Sequence, residues 1–172
     1  ALIVVQPGVQ AVTAIDDRDG TVRWRTWLPL ARRLVGIAGT GADAQIVVAT
    51  GEGIVAVDPR DGTARTLLEA RDGAGDPWLG IAPTRLLGPA LATPGGHAVV
   101  AVQGRRSDTE RTDMLDVDLL WIDVTTGAVT QTTRLPALAA KPPWIGPLAA
   151  AGESLWLLAH PSPTDARQSL WQ

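Results

Sequence analysis

Apolar residues run along this chain in short bursts that stop at glycine, proline or aspartate. Ala1 to Gln6, Leu34 to Ala38, Gln45-Ile46-Val47-Val48-Ala49, Gly88 to Ala92 and His97-Ala98-Val99-Val100-Ala101-Val102 are each five or six residues long. Bursts of that length, bounded by turn formers, predict β-strands. No segment carries the longer 3.6-residue periodicity of an amphipathic helix, so the pattern predicts an all-β chain.

Between the bursts one motif recurs. Ala14-Ile15-Asp16-Asp17-Arg18-Asp19-Gly20-Thr21-Val22-Arg23-Trp24 aligns with Ala56-Val57-Asp58-Pro59-Arg60-Asp61-Gly62-Thr63-Ala64-Arg65-Thr66. A third copy runs from Trp121-Ile122-Asp123 through Gly127 to Thr130. Each copy is a strand, an Asp, a turn ending in Gly, and a second strand. Carboxylates ending in glycine also suggest half a calcium loop, and spacing tests that idea. An EF-hand needs ligands at its first, third and fifth positions, glycine sixth and glutamate twelfth. With Gly20 sixth, the first and twelfth positions are Ile15 and Thr26. With Gly62 sixth, the first, third and twelfth are Val57, Pro59 and Leu68. Both fail as metal loops, whereas Asp beside Gly is what a tight turn requires, because Asp bonds its own backbone and Gly accepts positive φ.

Two further strands precede the second and third hairpins, giving four short strands per unit at a spacing of about 40 residues, the signature of a β-propeller blade. The expected fold is therefore a β-propeller of four-stranded antiparallel blades. Residues 1–30 form an incomplete first blade and 31–70 a second. An inter-blade loop spans 71–85, a third blade with a long loop at 103–117 spans 86–136, and an incomplete fourth blade spans 137–172. Gln168 to Gln172 reads as a third strand. That is about three blades' worth, an open arc of a ring of about seven or eight blades. The remaining blades are expected in the same polypeptide or in a tightly bound second chain.

The pattern A-x-D-x-x-[TD]-G-x-x-x-W resembles the blade signature of the quinoprotein-dehydrogenase-like propellers, which carry PQQ-like repeats. The first copy matches throughout, ending in Trp24. The second and third have Thr66 and Gln131 where that family places its docking tryptophan. The resemblance implies a propeller. In the enzymes of the family it also implies PQQ sandwiched at the ring's centre beside calcium, often against a vicinal Cys pair, with an Asp as base. This chain has no Cys, so the expected role is a non-catalytic scaffold or sensor domain without a cofactor. A fragment of a PQQ-dependent dehydrogenase is the alternative.

Composition adds little chemistry. The chain has no Cys, Phe, Tyr or Asn, one Lys (Lys141) and many Arg, Ala, Gly and Pro, a bias that points to a GC-rich bacterial genome. A net charge of −3 is too mild to imply a nucleic-acid or membrane partner. No apolar run is long enough to span a bilayer. The composition agrees with a secreted, periplasmic or surface-exposed β-domain.

In an antiparallel meander, the loop between second and third strands emerges on the same face as the connection to the next blade. The long connections fall in those places: Gly104 to Asp113, His160 to Arg167, Glu69 to Arg85 and Pro136 to Pro147. One face should carry the elaboration, and loops on a rigid scaffold are where binding lives. The candidate binding residues for a protein partner or small ligand are Trp78, Arg105, Arg106, Arg111, Trp144 and His160. Trp78 and Trp144 each follow a proline and suit either a binding platform or a cap on the core. The arginines alternate with Asp108, Glu110 and Asp113, as in a solvated loop. His97 and His160 have no second ligand at metal spacing. Trp24, Trp121 and Trp156 sit in strand patterns and should pack between blades. No catalytic motif and no metal-ligand set appears.

Because neither Asp-Gly segment supplies a full ligand set, adding or chelating calcium should leave the thermal unfolding midpoint unchanged. A chelator-induced drop of several degrees would overturn the turn reading.

Overall fold

The structure, a computed structural model, describes residues 1–69, 90–103, 117–135, 144–151, 154–160 and 169–171. Strands β1 (Leu2–Gln6), β2 (Ala11–Ile15) and β3 (Val22–Trp27) form sheet one, in the order β1-β2-β3. Sheet two is β4 (Ala31–Ala38), β5 (Gln45–Thr50), β6 (Gly53–Val57) and β7 (Ala64–Glu69), again in sequence order. Sheet three comprises β8 (Leu91–Ala92), β9 (His97–Gln103), β10 (Val117–Asp123) and β11 (Val129–Leu135). Sheet four comprises β12 (Trp144–Ala151), β13 (Ser154–His160) and β14 (Ser169–Trp171). Every pairing is antiparallel between chain neighbours. The all-β architecture of meandering sheets is the one the sequence predicts.

Two element boundaries differ from the sequence reading. Arg32 and Arg33 belong to β4, three residues upstream of where the apolar burst begins. Trp144 to Pro147, expected in a loop, are the start of β12. Pro147 is tolerated there because β12 is an edge strand and its register shifts between Ile145 and Leu148, so no ladder hydrogen bond is asked of the proline.

Alternation along the strands explains how the sheets stack. On β5, Ile46 and Val48 enter a core with Val12, Leu28, Ala31, Val55 and Val57, against which Ile3, Val5 and Trp24 of sheet one pack. Val47 and Ala49 point the other way, into a core with Ala98, Val100, Val102, Ile122 and Val124 of sheet three. Sheet three closes on sheet four through Ala101, Val117 and Leu119, with Trp121 and Leu155 packed against them. Trp24 and Trp121 therefore pack between sheets, as expected.

A polar interlock joins successive sheets at one end. The Trp24 indole N–H donates to the Pro59 carbonyl at 3.0 Å, and the Thr26 hydroxyl donates to the Gly62 carbonyl at 2.5 Å. Trp24 lies flat against Gly62, where an added Cβ would come within 2.6 Å of the ring. One sheet later the same place is filled differently: the Arg65 guanidinium donates to the Val124 carbonyl, and its Nη1 lies 3.6 Å from where a Gly127 Cβ would stand. By spacing, Thr66 should hold this position. Register shows why it does not. In sheet one, Ala14 pairs with Trp24 and Ile15 with Val22, so Arg23 is bulged out of the ladder. In sheet two, Ala56 pairs with Arg65 and Val57 with Ala64, because the bulge is displaced to lie beyond Thr66. Without the extra residue, Arg65 is shifted into the tryptophan's place. Sheet three keeps the first pattern, pairing Trp121 with Gln131 and Ile122 with Val129.

Gly20 and Gly62 separate backbone strain from packing. Both have positive φ, +74° and +78°, but an added Cβ meets nothing within 4 Å at Gly20 and meets Thr26 Oγ1 at 2.5 Å at Gly62. Gly20→Ala should cost about 1–2 kcal/mol from the left-handed backbone alone. Gly62→Ala should cost clearly more, because it also displaces Trp24. Urea unfolding of the two variants checks the order, and equal losses would show that the interlock carries no energy.

Candidate functional site

Antiparallel connectivity sends the connections to two opposite faces. One face holds the three Asp-to-Gly turns. In each, the Gly amide donates to the Asp carbonyl four residues back: Gly20 to Asp16 at 2.9 Å, Gly62 to Asp58 at 2.9 Å and Gly127 to Asp123 at 2.8 Å. The Asp amide in turn donates to the residue after the Gly, namely Thr21, Thr63 and Ala128. The Asp side chain accepts the amide two residues on, from Arg18, Arg60 and Thr125 respectively. A second cap closes each turn, as Asp19 accepts Thr21 N, Asp61 accepts Thr63 N, and Thr126 Oγ1 accepts Ala128 N. The recurring segment is a turn repeated with the same backbone geometry.

These carboxylates are committed. Asp16 Oδ2 takes Arg23 Nε at 3.0 Å and Nη2 at 2.6 Å, a pairing made possible by the bulge that swings Arg23 out. Asp58 takes Arg60, with Nη2 2.5 Å from Oδ2. The Arg60 guanidinium and then the Arg60 amide hold the Asp58 carboxyl down at about 2. Asp16 is lowered first by the Arg18 amide and then by Arg23, and Asp123 first by the Thr126 amide. Each of these carboxylates is thus engaged within its own turn, Asp16 and Asp58 by a backbone amide and an arginine and Asp123 by the Thr125 and Thr126 amides.

The opposite face is built differently. A short 3-10 turn at Pro7–Val9 leads to Gln10, held in the left-handed region at φ 51°. Its carbonyl accepts Leu28 N at 2.7 Å and its side-chain oxygen accepts Leu30 N at 3.4 Å. Leu30 itself has φ 53° and is exposed, and its carbonyl accepts Gly51 N at 2.9 Å. These bonds tie the β1–β2, β3–β4 and β5–β6 connections into one platform. A branched side chain at positive φ is strained, and strain is retained where the surroundings fix it. Beside the platform lies an open cleft of about 270 Å³ lined by Leu28, Pro29, Thr50, Glu52, Gly53, Val55, Thr66 and Glu69. Thr50 is buried, donating to Gly53 O and accepting Glu52 N, which fixes the turn carrying Glu52. The lining combines the apolar Leu28, Pro29 and Val55 with the carboxylates of Glu52 and Glu69, a chemistry suited to a cationic group on an apolar stem.

Of the candidates read from sequence, Trp78, Arg105, Arg106 and Arg111 lie outside the described residues. Trp144 and His160 are brought together: they are directly paired across β12 and β13, at the end of sheet four from which the β13–β14 connection leaves. Neither is in a loop, a correction to both placements. Proline before and after Trp144 gave the loop reading, and the edge bulge overrides it. Leu30, Glu52 and Glu69 were missed. Leu30 looks like an ordinary strand residue, and nothing local in the sequence marks its positive φ.

No family model matches the chain. None of the curated proteins matches it either. Among solved structures, the chain is similar to the crystal structure of BamB from Moraxella catarrhalis, with 18% sequence identity and a TM-score of 0.50 over 93% of this chain. The chain spans 42% of the length of that protein. The four sheets match its propeller blades, so the fold is that of a β-propeller, present as an arc.

The depressed Asp carboxyls set an acid limit. A carboxyl at about 2 when folded and near 3.8 otherwise contributes stability that is complete above about pH 5 and is lost as pH falls towards 2. The urea midpoint should therefore fall between pH 5 and pH 2. Asp58→Asn should be less stable than the parent at pH 7 and lose less on acidification. An unchanged acid slope would remove Asp58 from the account.

Proposed function

We propose that this chain is a non-catalytic propeller scaffold, or the sensor domain of a larger receptor, which engages a protein partner or small ligand through its loop-bearing face. One observation carries the reading. The two faces differ in kind: one carries three self-satisfied turns, whereas the other holds Gln10 and Leu30 at positive φ together with the cleft. Backbone strain retained on a rigid platform is characteristic of recognition surfaces. The likeness to BamB supports the fold beneath this reading. The reading needs no cofactor, since the turn carboxylates are already engaged, and it places the protein outside the cytoplasm.

Site-specific photo-crosslinking in the bacterial host tests it. A benzoylphenylalanine at Leu30, Trp78 or Arg106 should give a discrete adduct, whereas one at Arg18 or Thr126, on the turn face, should give none. Adducts from the turn face alone, or none from the loop face, would sink the proposal. Supplying PQQ and calcium should produce no dye-linked oxidation of alcohols or sugars. Turnover lost on mutating a loop-face Asp would establish the enzyme reading instead.

A further inference from the structure

The cleft beside the loop platform is shaped by a bulge and by a missing side chain. Strand β6 pairs Gly53 with Glu69, Ile54 with Leu68 and Val55 with Thr66, which leaves Leu67 as the extra residue on β7. Leu67 and Leu68 both enter the core shared with sheet three. Two consecutive residues on one face reverse the alternation, so Thr66 and Glu69, three apart in sequence, both line the cleft. A regular strand would send Glu69 to the face opposite Thr66. Directly across from Glu69 stands Gly53, at φ 143°, where no side chain fills the space. Val55 is buried and joins Leu28 as the apolar floor. Glu52 is held beside Gly53 by the Thr50 hydroxyl, which accepts the Glu52 amide at 3.1 Å.

Charge and size say what enters. The ion pairs among the described residues use Asp16, Asp17, Asp58 and Asp118, and neither Glu52 nor Glu69 belongs to one. Two carboxylates on one small cleft repel each other, and a positive group between them replaces that repulsion with attraction. At about 270 Å³ the cleft is smaller than the roughly 300–1,000 Å³ of small-ligand sites, so it suits a single side chain. Exposed Leu30 lies alongside, its carbonyl accepting Gly51 N in the turn that carries Glu52. We infer that the cleft seats one basic side chain, a lysine or arginine, projected by a protein partner whose neighbouring apolar residue lies on Leu30. The stem packs on Leu28, Pro29 and Val55, and the charged head sits between Glu52 and Glu69. This seat rests on the reading of the loop-bearing face as a binding surface, and it specifies the chemistry of the partner.

The probe is acetyl-leucyl-lysyl-leucinamide, titrated into the isotope-labelled intact chain and followed by NMR. Saturable shifts are expected from Thr50 to Val55 and from Thr66 to Glu69. The same peptide with norleucine for lysine, and n-butylammonium alone, should each bind about tenfold more weakly or worse. Glu52→Gln and Glu69→Gln change exposed positions, so both variants should fold. Each should weaken binding by about threefold to fivefold, and the double variant should lose the preference for lysine over norleucine. Asp43→Asn, in the β4–β5 connection on the opposite face, should leave binding unaltered. Equal binding of the norleucine peptide, shifts confined to other residues, or full affinity in the double Gln variant would overturn the assignment. So would displacement of the peptide by calcium, which makes the carboxylates a metal site, or n-butylammonium binding as tightly as the peptide, which makes the occupant a small amine. A benzoylphenylalanine adduct at Leu30 that forms undiminished in the double Gln variant would remove the seat alone and leave the loop-face reading standing.

Discussion

Sheet two has no polar face to offer water. Its central strands carry Ile46, Val48, Val55 and Val57 towards sheet one, and Val47, Ala49, Ile54 and Ala56 towards sheet three, all buried. Each fully buried Val or Ile contributes about 1.5–3 kcal/mol, and none of that contribution belongs to one sheet alone. Stability resides in the interfaces between neighbours, as in other stacked repeats. The turns, the loop platform and the candidate site are all held in place by that mutual covering.

Hydrophobic burial makes neighbouring sheets adhere but does not fix their rotation, because side chains of similar size can slide. The polar interlock supplies the missing constraint. Trp24 on Pro59, Thr26 on Gly62 and Arg65 on Val124 reach directed acceptors at the turn end of the sheets. A one-residue difference in where the bulge falls decides which side chain reaches. The same bulge frees Arg23 for Asp16, so one irregularity serves both the interlock and the turn.

The architecture was legible because its signals are local. Short apolar bursts bounded by turn formers and a repeated Asp-to-Gly turn are read within about ten residues, and every hairpin so marked is present. Failures came where distance along the chain matters. Thr66 was aligned with Trp24 by counting, but counting does not reveal a bulge. Trp144 was read as loop from its flanking prolines, yet the edge position of β12 makes proline harmless. The site was less legible than the fold, since Leu30 and Gln10 are ordinary in sequence and become special only through φ, and Glu52 and Glu69 meet only when β5, β6 and β7 come together.

The acceptors of the interlock are main-chain carbonyls, those of Pro59, Gly62 and Val124. A carbonyl is present whatever side chain its residue carries. The receiving turn can therefore drift in sequence, as DPRDG and DVTTG have, while the approaching strand changes from an indole to a guanidinium without any matching change opposite it. Units joined through such a generic socket can be copied, reordered or inserted one at a time, with only the donor residue and its bulge needing to be inherited together. Chain length in proteins of this kind is thus free to evolve in whole-sheet steps.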